Sequence, residues 1–232
     1  MELTLLGQAG VLVRLENGRT IAVDPYCSDS LRESKGERFR RKVPAHALAC
    51  PDVLALTHDH GDHMDFGTIA PWLSEAERLP VLGTYPVYQA IASRWPARHN
   101  VMVMRPGVEV SLYGARLCAV AASHETPDAV GYLLHAEGKT VYFTGDTLFT
   151  RRIPEQLHGV PIDLMLVCIN GFGNNMNEED AARLTMLLQP KLVVPVHWDM
   201  FEAFGADPQI FLHALAQTQS ARLVRAYETI HL

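Results

Sequence analysis

Apolar and polar positions alternate from the start of the chain, so residues 2–6, 10–15 and 20–24 each read as a short strand, with glycine-containing turns between them. A polar, basic stretch at 28–42 interrupts the pattern, and "DVLAL" at 52–56 resumes it as a buried strand. Strand and helix patterns then alternate. "APWLSEAERL" (70–79) and "PVYQAIASRW" (86–95) carry apolar residues at helical spacing, whereas "VMVM" (101–104), "RLCAVAA" (116–122), "VGYLLHA" (130–136) and "TVYFTG" (140–145) read as strands. The strand "IDLMLVCI" (162–169), a helix over 177–188 and the strand "KLVVPVH" (191–197) close the pattern. Asn177 suits the N-cap of that helix, and Glu178, Glu179 and Asp180 place negative charge in its first turn, where the macrodipole favours it. The expected class is α/β, with mixed sheets flanked by helices. Neither a repeat nor a linker is visible, so residues 1–232 are expected to form one domain.

Composition narrows this picture. Nearly half of the 232 residues are hydrophobic (48%), enough for a large core, yet no window approaches the roughly 20 apolar residues that span a bilayer. The N-terminus lacks a basic region and a small-residue cleavage site, so no export signal is expected. Cys27, Cys50, Cys118 and Cys168 are far apart and form no CxxC pair, which fits a reducing cytoplasm better than a disulfide framework. A net charge of -6 with no long basic tract argues against a nucleic-acid-binding surface. Only "RESKGERFRRK" (32–42) is locally basic, and within it Arg38 and Arg41 are candidates for gripping a phosphate.

The stretch "DVLALTHDHGDHMD" (52–65) gathers three histidines and four aspartates behind an apolar run. Within it "THDHGDH" sets His58, His60, Asp62 and His63 on one loop just past a strand. Imidazole nitrogens and carboxylate oxygens are the ligand set of zinc and similar divalent ions, and Gly61 gives the loop backbone freedom. A histidine-rich surface loop is the plainer alternative. Three further ligand-type residues, His124, Asp146 and His197, each follow an apolar strand, a placement that puts side chains along one edge of a rigid sheet. Taken singly, each also reads as an ordinary boundary or turn residue. Together the seven residues suffice for two ions.

In this order, the seven residues resemble the metallo-beta-lactamase superfamily, and the strand end "VDPY" at Asp24 extends the likeness over most of the chain. The resemblance implies a four-layer αββα sandwich with a binuclear site at its open edge. It also implies that His58, His60 and His124 hold one ion, that Asp62, His63 and His197 hold the second, and that Asp146 bridges them. "THDHGDHMD" and "VVPVHWDMFEAFGADPQIF" are similar to segments of the L-ascorbate-6-phosphate lactonase group, although this chain is shorter. That narrower likeness implies a homo-oligomer.

The resemblance thus implies a metal-dependent hydrolase, a lactonase acting on a small anionic lactone or ester such as a phosphorylated sugar-acid lactone. Its cofactors would be two divalent ions, Mn or Zn, with Fe also accepted by such ligands. Asp62 and Asp146 are the candidate catalytic carboxylates. Asp59 and Asp65 are candidates to take the second ring N–H of bound histidines. Asn170, Asn174 and Asn175 in "NGFGNNMN", together with Asp199, are candidate substrate contacts. Trp198 and Phe201 read either as pocket walls or as core. Two alternatives stand beside this reading. One is a phosphodiesterase or nuclease of the same superfamily, against which the acidic net charge counts. The other is a non-catalytic or redox metal protein, whose diiron branch carries a glutamate where this chain has His60.

Overall fold

The computed structural model describes residues 1–36, 48–216 and 218–232. Arg38 and Arg41 therefore lie outside the described residues. One sheet is built from β1 (Glu2–Gly7), β2 (Gly10–Arg14), β3 (Thr20–Val23), β4 (Val53–Ala55), β5 (Pro80–Gly83), β6 (Asn100–Val103) and β13 (Thr229–His231). Their spatial order is β13-β1-β2-β3-β4-β5-β6. The other holds β7 (Glu109–Leu112), β8 (Ala115–Ala121), β9 (Val130–Ala136), β10 (Lys139–Phe143), β11 (Leu164–Cys168) and β12 (Leu192–Val196), in the order β12-β11-β10-β9-β8-β7.

The two-residue period of a strand decides which face each side chain covers. Val53, Ala55, Val141, Phe143, Leu164 and Leu166 meet in the cluster between the two sheets. Their neighbours in sequence turn the other way. Leu54 and Leu56 pack outward with Ile69, Trp72 and Leu73 of α2 (Phe66–Glu75) and with Val87 and Ile91 of α3 (Tyr85–Arg94). Tyr142, Met165 and Val167 pack outward with Ile153 of α4 (Arg152–Gln156), Leu184 of α5 (Glu178–Leu188), and Phe211 and Leu215 of α6 (Pro208–Leu215). Helices, sheet, sheet and helices thus form four layers, the αββα sandwich that the family resemblance implies.

Helix α2 starts at Phe66 rather than at Ala70, because Asp65 caps it by accepting from the Gly67 N–H, and Pro71 lies inside the helix. The expected helix over 177–188 is α5, and Asn177 caps it by accepting from the Asp180 N–H at 2.9 Å.

Strand direction positions the site. β1, β3 and β4 run the same way in the first sheet, since β1 and β3 are each antiparallel to β2 and β4 is parallel to β3. β8, β10, β11 and β12 share one direction in the second sheet, since β8 and β10 flank the antiparallel β9 and the last three are mutually parallel. Gln8, Asp24, Thr57–His63, His124, Asp146, Asn170 and His197 all follow the C-terminal ends of these seven strands.

Gly145 carries the turn that delivers Asp146. Its φ is +60°, and a Cβ there would stand 3.0 Å from the Thr57 side chain and 3.0 Å from the Val130 carbonyl. Gly145→Ala is expected to cost about 2 kcal/mol, lowering Tm by roughly 4–8 °C, and to weaken metal retention along with stability. Thermal melts with and without added zinc check both parts.

Candidate metal centre

The seven sequence-selected ligands converge. The ligand atoms of His58, His60 and His124 lie within 4.8 Å of one another, as do those of His58, His63 and Asp146, and those of Asp62, His63 and His197. His124 Nε2 is 3.2 Å from His60 Nδ1, and His63 Nε2 is 3.2 Å from His197 Nε2. Asp146 Oδ1 lies 3.2 Å from His63 Nε2 and 3.3 Å from His197 Nε2. Ligand atoms about 2.0–2.2 Å from one ion stand roughly 3–3.5 Å apart, so these spacings are those of a coordination set.

The second nitrogen of each of three rings is held from behind, which fixes the nitrogen that faces the centre. Asp24, 1% exposed, accepts from the Thr57 N–H at 2.8 Å and the Thr57 hydroxyl at 2.6 Å, and its Oδ2 lies 2.8 Å from His63 Nδ1. His63 therefore donates through Nδ1 and offers Nε2. Because the Thr57 proton goes to Asp24, its oxygen accepts from His58 Nδ1 at 3.0 Å. His58 Nε2 is then a bare lone pair, fully buried and with no hydrogen-bond partner among the described residues. His124 Nδ1 donates to the Asn174 carbonyl at 3.3 Å, leaving its Nε2 toward the centre. Asn175 Nδ2 donates to Asp146 Oδ2 at 2.8 Å, turning Oδ1 toward the histidines.

Burial, and then the neighbouring His63, push the His58 imidazole well below its ordinary 6.5. His63 goes the other way: burial opposes its charge, but Asp146, Asp24 and Asp62 together lift it well above 6.5. Against their own burial, Asp62 is held well below the usual carboxylate range first by His63, and Asp146 first by His197. A buried cluster whose carboxylates favour positive charge on one imidazole, while another imidazole keeps a bare lone pair, is electrostatically suited to a cation. The donor set therefore fits divalent metal ions.

The centre opens to a cavity of about 300 Å³ lined by Leu31, Lys35, His60, Asp62, Glu125, Phe172 and others. Asn170 and Asn175 line it, whereas Asn174 serves through its backbone carbonyl and its side chain is exposed. Asp199, Trp198 and Phe201 are not among its described lining residues. Phe201 is buried against Tyr26 with ring centroids 5.3 Å apart, and Trp198 packs on the cluster under α5 and α6.

Asp65 departs from its expected role. Its carboxylate accepts from the Ser28, Ser30 and Thr68 hydroxyls and from the Ser28 and Gly67 N–H groups, so it ties the loop after β3 to α2 rather than backing a histidine. Asp59 Oδ1 is buried and makes no hydrogen bond among the described residues, so it backs no histidine through that atom. The carboxylate that does back one is Asp24, which the sequence marks only as a strand end. Nothing in the sequence singles out Gln8 or Thr57, although backbone strain marks the region. Gln8, Asp24, Asn174 and His197 all have positive φ, at 52°, 43°, 59° and 63°, a conformation non-glycine residues hold where the surroundings enforce it.

An αββα sandwich carrying a histidine and carboxylate cluster at the C-terminal strand edge defines a metallo-hydrolase class of fold. The Beta-lactamase superfamily domain matches residues 19–198, and the chain belongs to that family. It is 29% identical over 245 residues to a UPF0173 metal-dependent hydrolase of Lysinibacillus sphaericus, covering 100% of this chain and 99% of that one. It is 28% identical over 243 residues to a UPF0173 metal-dependent hydrolase of Pyrococcus abyssi, with 100% of both chains covered. Among solved structures, Igni18, a metallo hydrolase from Ignicoccus hospitalis, superposes with a TM-score of 0.79 at 22% identity, covering 99% of this chain and 97% of its own. Among the described residues, no helix is long and apolar enough to cross a membrane.

Proposed function

We propose that the protein is a metal-dependent hydrolase holding two divalent ions, and that it cleaves a small anionic ester or lactone. His58, His60 and His124 would hold one ion, Asp62, His63 and His197 the second, and Asp146 would face both. The observation that carries this reading is the buried, unpartnered His58 Nε2, aimed by the Asp24 and Thr57 relay into a cluster of imidazole and carboxylate donors. Divalent ions bound there would lower the pKa of water from 15.7 to about 7 and polarise a carbonyl. The name shared by the UPF0173 relatives supports hydrolysis.

The chain's own residues supply the rest. Asp62 reaches the cavity, and its Oδ2 lies 3.1 Å from His197, so its Oδ1 is placed to take a proton as the carbonyl is attacked. Asn170 adds an amide to the lining, Asn175 keeps its own on Asp146, Phe172 contributes an apolar ring, and Lys35 supplies a cation for an anionic group. A cavity of about 300 Å³ stands at the small end of ligand sites and admits a metabolite-sized molecule. Lactone and ester carbonyls suit this arrangement, and the likeness to sugar-acid lactonases favours a phosphorylated lactone.

Metal analysis of the purified protein should find close to two ions per chain. A screen of manganese- and zinc-loaded protein against phosphorylated sugar lactones, simple lactones and bis(p-nitrophenyl) phosphate tests the substrate. Turnover of the phosphodiester alone would replace this reading with a phosphodiesterase. Lys35→Ala is expected to raise KM about tenfold for an anionic substrate while leaving kcat and the KM of a neutral ester nearly unchanged, the loss of one charge-assisted hydrogen bond.

A further inference from the structure

The turn between β1 and β2, residues Gly7–Gly10, reaches into the second half of the centre through one side chain. Gln8 is 3% exposed, and its Nε2 lies 2.7 Å from Asp62 Oδ2 and 2.9 Å from His197 Nε2. Its Oε1 is buried with no hydrogen-bond partner among the described residues. The backbone fixes this placement: the Gln8 carbonyl accepts from the His197 N–H at 3.0 Å, and both residues are left-handed. A Cβ on Gly10 would stand 2.9 Å from the Asp24 carbonyl, so the turn also packs closely on the strand that carries Asp24.

His197 Nε2 is consequently crowded by four polar atoms. Gln8 Nε2 is at 2.9 Å, Asp62 Oδ2 at 3.1 Å, His63 Nε2 at 3.2 Å and Asp146 Oδ1 at 3.3 Å. One imidazole nitrogen makes a single hydrogen bond, so most of these neighbours are not there to bond to it. Their common spacing is that of atoms surrounding one ion. A metal bound to His197 Nε2 occupies the lone pair that the Gln8 amide now approaches, and an N–H directed at a cation is repelled. A half-turn of the amide exchanges Nε2 for Oε1, places the unpartnered oxygen in the set and removes the conflict.

Building on the two-ion reading above, we propose that Gln8 is a protein ligand of the second ion, contributing Oε1 beside Asp62, His63, His197 and Asp146. Carbonyl oxygens of glutamine are accepted ligands of hard divalent ions, manganese among them. The alternative is that Gln8 only donates a hydrogen bond to Asp62.

Zinc and manganese binding to wild type, Gln8→Leu and Gln8→Glu, measured by competition with a chromophoric chelator, separates the two, with circular dichroism and Tm as folding controls. The expected result is that Gln8→Leu loses at least tenfold in affinity for one of two ions while Gln8→Glu, which keeps an oxygen, retains it. Two ions bound by Gln8→Leu at wild-type affinity would overturn the assignment, as would equal losses in Gln8→Leu and Gln8→Glu, the mark of a lost donor. If Gln8→Leu does not fold, a crystal structure of metal-loaded wild type decides: a Gln8 oxygen within about 2.6 Å of the ion supports the assignment, and one farther away overturns it. Wild-type protein that binds no ion would instead remove the metal reading itself, so the two failures are distinguishable.

Discussion

Asp146→Ala is expected to strip the protein of metal and to lower hydrolysis about a thousandfold while leaving the sandwich folded. Asp146 is 4% exposed at the end of β10, and its contacts reach both halves of the centre. Oδ1 lies within 3.3 Å of His63 and His197, and the same carboxylate groups with His58. Its removal takes away the anion that both proposed ions share, and several kcal/mol of transition-state stabilisation, at about 1.36 kcal/mol per decade, corresponds to a loss of this size. The fold is expected to persist because the four hydrophobic clusters among the described residues contain none of these side chains. Elemental analysis, initial rates and a far-UV spectrum check the three parts, and a variant retaining two ions and full rate would refute the shared-carboxylate role.

The same substitution has a pH signature in metal-free protein. His63 is lifted above 6.5 by Asp146, Asp24 and Asp62 against the opposing effect of burial. Its stabilising contribution is complete below pH 6.5 and is lost as pH rises through the raised value. Stripped wild type should therefore exceed stripped Asp146→Ala in Tm by more at about pH 6 than at strongly alkaline pH.

Much of this centre is readable in the chain because its ligands either crowd onto one loop or stand immediately beyond an apolar strand. Four fall within "THDHGDH", and the other three mark the ends of β8, β10 and β12. Val53, Leu54 and Ala55, or Leu164, Met165 and Leu166, are apolar throughout, which marks strands buried on both faces. Supports are harder to read, because what backs a ligand is near it in space and far from it in sequence. Asp24 stands 39 residues from His63. Gln8 stands 189 from His197, in a turn whose glutamine has no local mark of metal chemistry. Asp65 misleads for the opposite reason, since proximity to three histidines outweighs the signal of an aspartate opening a helix. Strands β5, β7 and β13 each hold at most two hydrophobic residues, too few to mark a strand, and Pro154 obscures α4.

Asp24→Asn tests the supports directly and should cost about 10–100-fold in metal affinity, with loss of activity to match. The side chain keeps its shape, so its oxygen can still accept from the Thr57 N–H, but the new amide nitrogen then faces the Thr57 hydroxyl and His63 Nδ1, both of which donate at present. His63 can satisfy that nitrogen only by accepting through Nδ1. Its proton then moves to Nε2, the atom aimed at the centre, and the ligand is blocked by its own hydrogen. The Thr57 hydroxyl loses its acceptor as well, so the relay that bares His58 Nε2 weakens, and both halves suffer from one change. Thr57→Val should separate the two effects: it removes the hydroxyl that sets His58 but leaves Asp24 on His63, so the affinity of one ion falls while the other holds. Calorimetric titration with zinc distinguishes these outcomes, and wild-type affinity for both ions in Asp24→Asn would show that this carboxylate does not govern the tautomers.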